Sequence, residues 1–140
     1  MKRILALDIG EKKVGVAISD PFKLFAQSLE VLNIRGKADL VDKIKKYLTN
    51  YNIEKIVIGN PLTKDGSESL FSKKIREIAK LISSHYNMET ILWDERFSSE
   101  EATRYIQKAG KKYIKRHIDK VSAQIILQSY LERERNARSN

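Results

Sequence analysis

Up to Ile34 the apolar residues of this chain come in short, β-compatible runs broken by turn residues, and from Asp39 onward they recur at three- and four-residue steps. That change of period restricts the fold to a sheet that begins as consecutive strands and is then covered by helices. Ile4 to Ile9 and Val14 to Ile18 flank Gly10-Glu11-Lys12-Lys13 and predict a β-hairpin. Beyond the loop signalled by Asp20-Pro21, the alternation of Leu29-Glu30-Val31-Leu32-Asn33-Ile34 predicts a third strand and so an antiparallel meander. Leu40, Val41, Ile44, Tyr47, Leu48 and Tyr51 then mark the apolar side of a helix. Ile56-Val57-Ile58 reads as a buried strand stopped by Gly59-Asn60-Pro61, after which Gly66-Ser67 opens a second helix with Phe71, Ile75, Ile78, Ala79 and Ile82 facing the core. Glu89 to Trp93 is a fifth strand, and Ser98 with Glu101 has the capping-box spacing of a third helix that stops at Gly110. A last helix is predicted from about Ile118 through Glu134, with Asp119 at or near its N-cap.

The order β-β-β-α-β-α-β-α-α predicts an α/β fold: a five-stranded mixed sheet, antiparallel on the meander side and parallel on the crossover side, flanked by helices. A chain of 140 residues is one domain's worth, here residues 1–135 with a frayed tail at 136–140. In such a sheet the carboxyl ends of the central strands share one edge, where α/β folds place ligands.

Three aspartates stand at element ends. Asp8 closes Leu5-Ala6-Leu7, Asp94 follows Ile91-Leu92-Trp93, and Asp119 precedes Val121-Ser122-Ala123. A bare carboxylate at the end of an apolar strand costs roughly several kcal/mol to desolvate, and a divalent cation removes that cost. If the three converge they form a hard, all-oxygen site suited to Mg²⁺ or Mn²⁺ and to phosphodiester cleavage. Each has a plainer reading as well: Asp8 as the cap of the turn after it, Asp94 as a partner for Arg96, Asp119 as an ordinary N-cap. Because side chains alternate along a strand, Asp94 and Glu95 point in different directions, and Asp94 is the one expected to face Asp8.

Lys and Arg total 27 against 18 Asp and Glu, a net charge of +9, which favours a polyanionic partner such as nucleic acid. The absence of cysteine excludes disulfides, zinc–thiolate sites and a thiol nucleophile. Asp8 interrupts the apolar N-terminal run before it reaches signal-peptide length and no later segment approaches a membrane span, so a soluble, cytoplasmic protein with no membrane partner is expected.

Leu7-Asp8-Ile9-Gly10, Gly15-Val16-Ala17-Ile18-Ser19-Asp20, Ile58-Gly59-Asn60-Pro61-Leu62, Asp94-Glu95-Arg96-Phe97-Ser98 and Asp119-Lys120-Val121-Ser122-Ala123, in this order, resemble the YqgF/RuvX family of ribonuclease H-like proteins. Its members are described as Holliday junction resolvases and as pre-16S ribosomal RNA nucleases. The resemblance covers almost the whole chain and implies a ribonuclease H-like fold with catalytic carboxylates at Asp8, Asp94 and Asp119. Ser122 departs from the family's usual alanine, and Asn60 occupies a variable position; neither removes an expected ligand.

On this reading Asp8, Asp94 and Asp119 are both catalytic and metal-binding. Arg96 is a bidentate phosphate or carboxylate clamp, and Lys13, Asn60, Lys112, Lys115 and Arg116 grip substrate, although a basic run is also what a solvated helix face looks like. The expected activity is metal-dependent endonucleolytic hydrolysis, with precursor 16S rRNA as the substrate. Four-way, branched DNA is the rival substrate, which calls for a symmetric homodimer to make paired cuts. A non-catalytic RNA-binding assembly factor is the reading from another class.

Overall fold

The structure is a computed structural model that describes residues 1–97, 104 and 111–139, the backbone alone for 111–120 and 139. Strands β1 (Arg3–Ile9), β2 (Lys13–Ser19) and β3 (Ala26–Asn33) form the expected meander, and β4 (Ile53–Asn60) and β5 (Glu89–Asp94) add to it in parallel. The sheet order is β3-β2-β1-β4-β5. Helices α1 (Lys37–Lys43), α2 (Lys45–Asn50) and α3 (Leu70–Tyr86) and the long α4 (Lys111–Ser139) complete the described elements.

Alternation along β1 divides the core. Leu5, Leu7 and Ile9 belong with Ile44, Ile75 and Ile82 on the α1–α3 side, whereas Ile4 and Ala6 belong with Ala123, Ile126 and Leu127 on the α4 side. Alanines at 6, 17 and 123 keep the α4 layer thin, so the helix lies close to the sheet. Leu7, fully buried, is representative of the thicker layer, where truncation to alanine costs about 2–5 kcal/mol.

Four local expectations are corrected. The helix after Asp39 is broken for one residue at Ile44, where a three-residue bond from the Tyr47 N–H to the Ile44 carbonyl replaces the regular four-residue one. The second helix starts at Leu70, not at Gly66-Ser67, because Ser69 caps it by accepting the Ser72 N–H at 3.0 Å. Residues 63–67 form a separate turn instead, in which Asp65 accepts bonds from Thr63 and Ser67, and Gly66 sits at φ 88°. The last helix begins at Lys111 and runs through the expected tail to Ser139, which puts Asp119 two turns inside it and not at its N-cap. Lys111 to His117 contains neither glycine nor proline to stop a helix. The third helix expected from Ser98 to Gly110 lies outside the described residues, apart from Arg104. No described helix is long and apolar enough to cross a membrane.

Candidate functional site

Asp8 is the next residue of the Ile4–Ala6 face of β1, so it points to the α4 side at the carboxyl end of the sheet, half-buried. Its partner on β2 is Gly15. On β4, Ile58 pairs with Leu7, and the following residue, beside Asp8, is Gly59. A carboxylate on a central strand is thus flanked by bare backbone on both sides.

Glu95 uses that space. It follows β5 in a short 3₁₀ turn, Glu95–Phe97, and β5 is separated from β1 by β4. To reach Asp8, its side chain must cross β4, and it crosses at Gly59. A Cβ at position 59 would lie 2.5 Å from Glu95 Oε1 and 2.6 Å from Ile126 Cδ1, so any side chain there collides with the acid and with α4. Glu95 is thereby set against Asp8. Burial, then the charge and hydrogen bond of Asp8, then the charge of Asp94, push the Glu95 carboxyl up to about 7.

Alternation separates Asp94 from Glu95 as expected, but the expected choice between them is corrected: Glu95 meets Asp8. Leu92 packs on the α1–α3 side and Trp93 on the α4 side, so Asp94 returns to the side away from Asp8. There its carboxylate accepts from Arg96 Nε at 2.9 Å, from Nη2 at 2.6 Å and from the Arg96 N–H at 3.0 Å. The Arg96 hydrogen bonds, against a smaller effect of burial, hold Asp94 below its usual range. Arg96 Nη1 also donates to the Lys64 carbonyl at 3.2 Å, and the guanidinium covers Gly66. Arg96 therefore fastens the 61–67 loop to the end of β5, with its fork already taken by Asp94.

Asn60 pairs with Asp94 across β4 and β5 and, by alternation from Val57 and Gly59, also faces away from Asp8; its Oδ1 is buried with no hydrogen-bond partner among the described residues. Lys13 is close by: with Asp8, Gly10, Lys12 and Gly15 it lines a cavity of about 380 Å³ over the hairpin turn, which is closed by the Gly10 N–H donating to the Lys13 carbonyl at 2.8 Å. Asp119, Lys112, Lys115 and Arg116 lie on α4, their side chains outside the described part of the structure. Asp119 precedes Ala123 by four residues and Ile126 by seven, the spacing of one helical stripe. Among the described residues no three or more Asp, Glu, His or Cys side chains form a cluster that could hold a metal ion; Asp8 and Glu95 are a pair.

The sequence sets Glu95 against Asp94 and favours Asp94, and it gives Gly59 only the part of a strand stop. The signal was present: Gly59 interrupts the β-branched run of β4, where glycine weakens a strand unless something must approach its backbone. An acid one residue past the end of the neighbouring strand is what approaches.

Residues 2–133 match the RuvX family, described as Holliday junction resolvase. A protein of Caldicellulosiruptor bescii named "Putative pre-16S rRNA nuclease" is 49% identical over 135 residues, covering 93% of this chain and 96% of that protein. One of Dictyoglomus thermophilum with the same name is 40% identical over 132 residues, covering 93% and 95%. Among solved structures, T. thermophilus RuvC in complex with a Holliday junction substrate superposes with a TM-score of 0.61 at 11% identity, covering 92% of each chain, a likeness of fold.

Proposed function

Because this chain belongs to the RuvX family, we propose that it is a metal-dependent endonuclease that hydrolyses phosphodiester bonds in structured nucleic acid, with the 16S rRNA precursor as its substrate. The observation that carries this reading is the Asp8–Glu95 pair: two carboxyl groups brought together across a glycine, with the Glu95 carboxyl pushed up to about 7 by burial and by its acidic neighbours. Charges of like sign are not assembled at a sheet edge for stability, and the oxygen-only donor set fits Mg²⁺ or Mn²⁺. When bound, such an ion supplies Lewis-acid stabilisation of the phosphoryl oxygens and an activated water.

The chain's own residues do the positioning. Asp8, on a central strand, offers a ligand fixed by the sheet's hydrogen bonds, and Glu95 offers the second once it has released its proton. Asp119 is the third: aspartate is a poor residue two turns inside a helix, and its stripe runs down to Ile126, which packs at Gly59 beside Glu95. Asp94 and Arg96 act as a brace that orients the Glu95 turn. Lys13 in the cavity beside Asp8, and Lys112, Lys115 and Arg116 on the first turns of α4, draw the phosphate backbone to the acids.

The test is incubation of wild type and Asp8→Asn with precursor 16S rRNA and with a four-way DNA junction, in Mg²⁺, in Mn²⁺ and in chelator. Metal-dependent cleavage of the RNA, lost in the variant, is the expected result. Cleavage of the junction alone assigns the DNA reading. RNA binding with no cleavage under any condition, unaffected by Asp8→Asn, replaces the enzyme with an assembly factor.

A further inference from the structure

The opposite end of the sheet presents two phenylalanines to solvent, Phe22 at 67% and Phe25 at 66% exposure, in the loop between β2 and β3. This loop is built to hold them. The Asp20 carboxylate accepts the N–H groups of Phe22, Leu24 and Phe25 at 3.0, 2.7 and 2.8 Å. From α4, Gln128 accepts the Ala26 N–H at 2.9 Å and donates to the Leu24 carbonyl at 3.2 Å, so the backbone on both sides of Phe25 is tied down. Lys23, at φ 61°, forms an ion pair with Glu54 that fixes the loop to β4. Exposed rings on a mobile loop need no account, whereas exposed rings on a backbone held by five side-chain hydrogen bonds are a prepared surface whose ordering cost is met before anything binds.

The charges beside Phe22 select the occupant. Phe22 and Lys23 share a cleft with Lys55, Glu134, Arg135 and Arg138. That cleft carries four cations, Lys23, Lys55, Arg135 and Arg138, against two carboxylates, Glu54 and Glu134. A second copy of this chain docking here face to face would oppose two clefts of the same net positive charge. A nucleic-acid strand brings base faces to the rings and phosphates to a cleft of net positive charge.

We propose that the Phe22–Phe25 loop and the Arg135–Arg138 end of α4 form an anchoring site for single-stranded nucleic acid, the bases stacking on the two rings and the backbone lying against the arginines. The site rests on the nuclease reading only for its purpose, which is to hold an unpaired flank of the substrate away from the acids. Asp119 and Arg138 belong to one continuous helix, and at 1.5 Å per residue the two positions are roughly 28 Å apart. About eight stacked nucleotides cover that span.

The test is fluorescence anisotropy of a labelled oligouridine of about 12 nucleotides titrated with the full chain in chelator, so that binding is read without cleavage. The Phe22→Ala, Phe25→Ala double variant, checked for an unchanged circular dichroism spectrum and melting temperature, is expected to lose affinity on the order of 10-fold per ring. Phe22→Trp, Phe25→Trp restores it, and Arg138→Ala lowers the salt dependence by about one phosphate contact. Undiminished binding by the double alanine variant, or no binding by wild type, overturns the site. So does a wild-type dimer in sedimentation that the double alanine variant abolishes, which assigns the rings to a second copy. Cleavage of precursor rRNA by the same preparations is scored separately, so that loss of the anchor and loss of the nuclease reading cannot be confused.

Discussion

Asp20 and Glu95 terminate opposite ends of the same sheet, and their surroundings treat a carboxylate in opposite ways. At Asp20, burial raises the carboxyl, but the N–H groups of Phe25, Leu24 and Phe22 outweigh it and hold the group below its usual range. At Glu95, burial is joined by the negative charges of Asp8 and Asp94, and the group is driven up to about 7. The first acid is satisfied by the loop it organises and the second is set against two other acids. The same contrast repeats over one residue of chain, since Asp94 is lowered by Arg96 while its neighbour is raised. An acid with its donors already present holds the fold together, whereas an acid set against other acids does not.

Substitution of the unsatisfied pair is expected to have the largest effect. Asp8→Asn and Glu95→Gln each lower the cleavage rate by at least about 100-fold in saturating Mg²⁺, measured on a defined RNA substrate. Neither lowers the melting temperature, and Asp8→Asn raises it by a few degrees by relieving the acid–acid contact. A variant that melts early while cleaving normally would mean that the two acids are structural after all.

Next is the gap that lets the acids meet. Gly59→Ala places a Cβ 2.5 Å from Glu95 Oε1 and 2.6 Å from Ile126 Cδ1, and is expected to cost about 1–3 kcal/mol in urea denaturation. The same substitution displaces Glu95 and reduces cleavage, whereas Gly36→Ala, strained at φ 105° but with open space around its Cβ, lowers stability and leaves cleavage intact. Equal activity in both variants would separate Glu95 from the chemistry.

The pH dependence of stability is expected to be smaller. Folded Glu95 keeps its proton to about 7, where the free side chain releases it at 4.5, so the folded chain binds more protons between those values. Stability from this group is full below 4.5 and is lost as pH rises through about 7. Allowing for solvent screening, the loss is about 1–2 kcal/mol. Thermal melts of metal-free protein at pH 5 and pH 8 check it, and Mn²⁺ added at the higher pH is expected to restore the difference. The smallest effect belongs to the satisfied acid: Asp20→Ala loosens its loop at a cost of about 1 kcal/mol in urea denaturation, with cleavage of a short substrate unchanged.

The strands are legible in the sequence because β-branched runs and turn residues alternate cleanly up to Ile34, and Asp8 is legible because a charge at the end of such a run demands a partner. The mutual exclusion of Asp94 and Glu95 is legible too, since it follows from strand geometry. Which of them meets Asp8 is not, because that depends on where β5 ends and on the turn at Glu95 that carries the chain across β4. Ser69 is a poor signal beside Gly66-Ser67, since several serines within one loop all satisfy a cap's chemistry and only the path of the backbone chooses among them. Asp119 misleads for a related reason: aspartate is so common at N-caps that a helix was expected to start at it, while the lysine-rich run before it has no residue that stops one.

The continuity of α4 has a mechanical consequence. A helix without a break is a rod, and whatever touches its Asp119 turn and its Arg138 turn together is compared with a fixed length. If one strand of substrate engages both, this protein carries its own yardstick, and the position of a cut is counted in nucleotides from the gripped end, whatever the sequence between them.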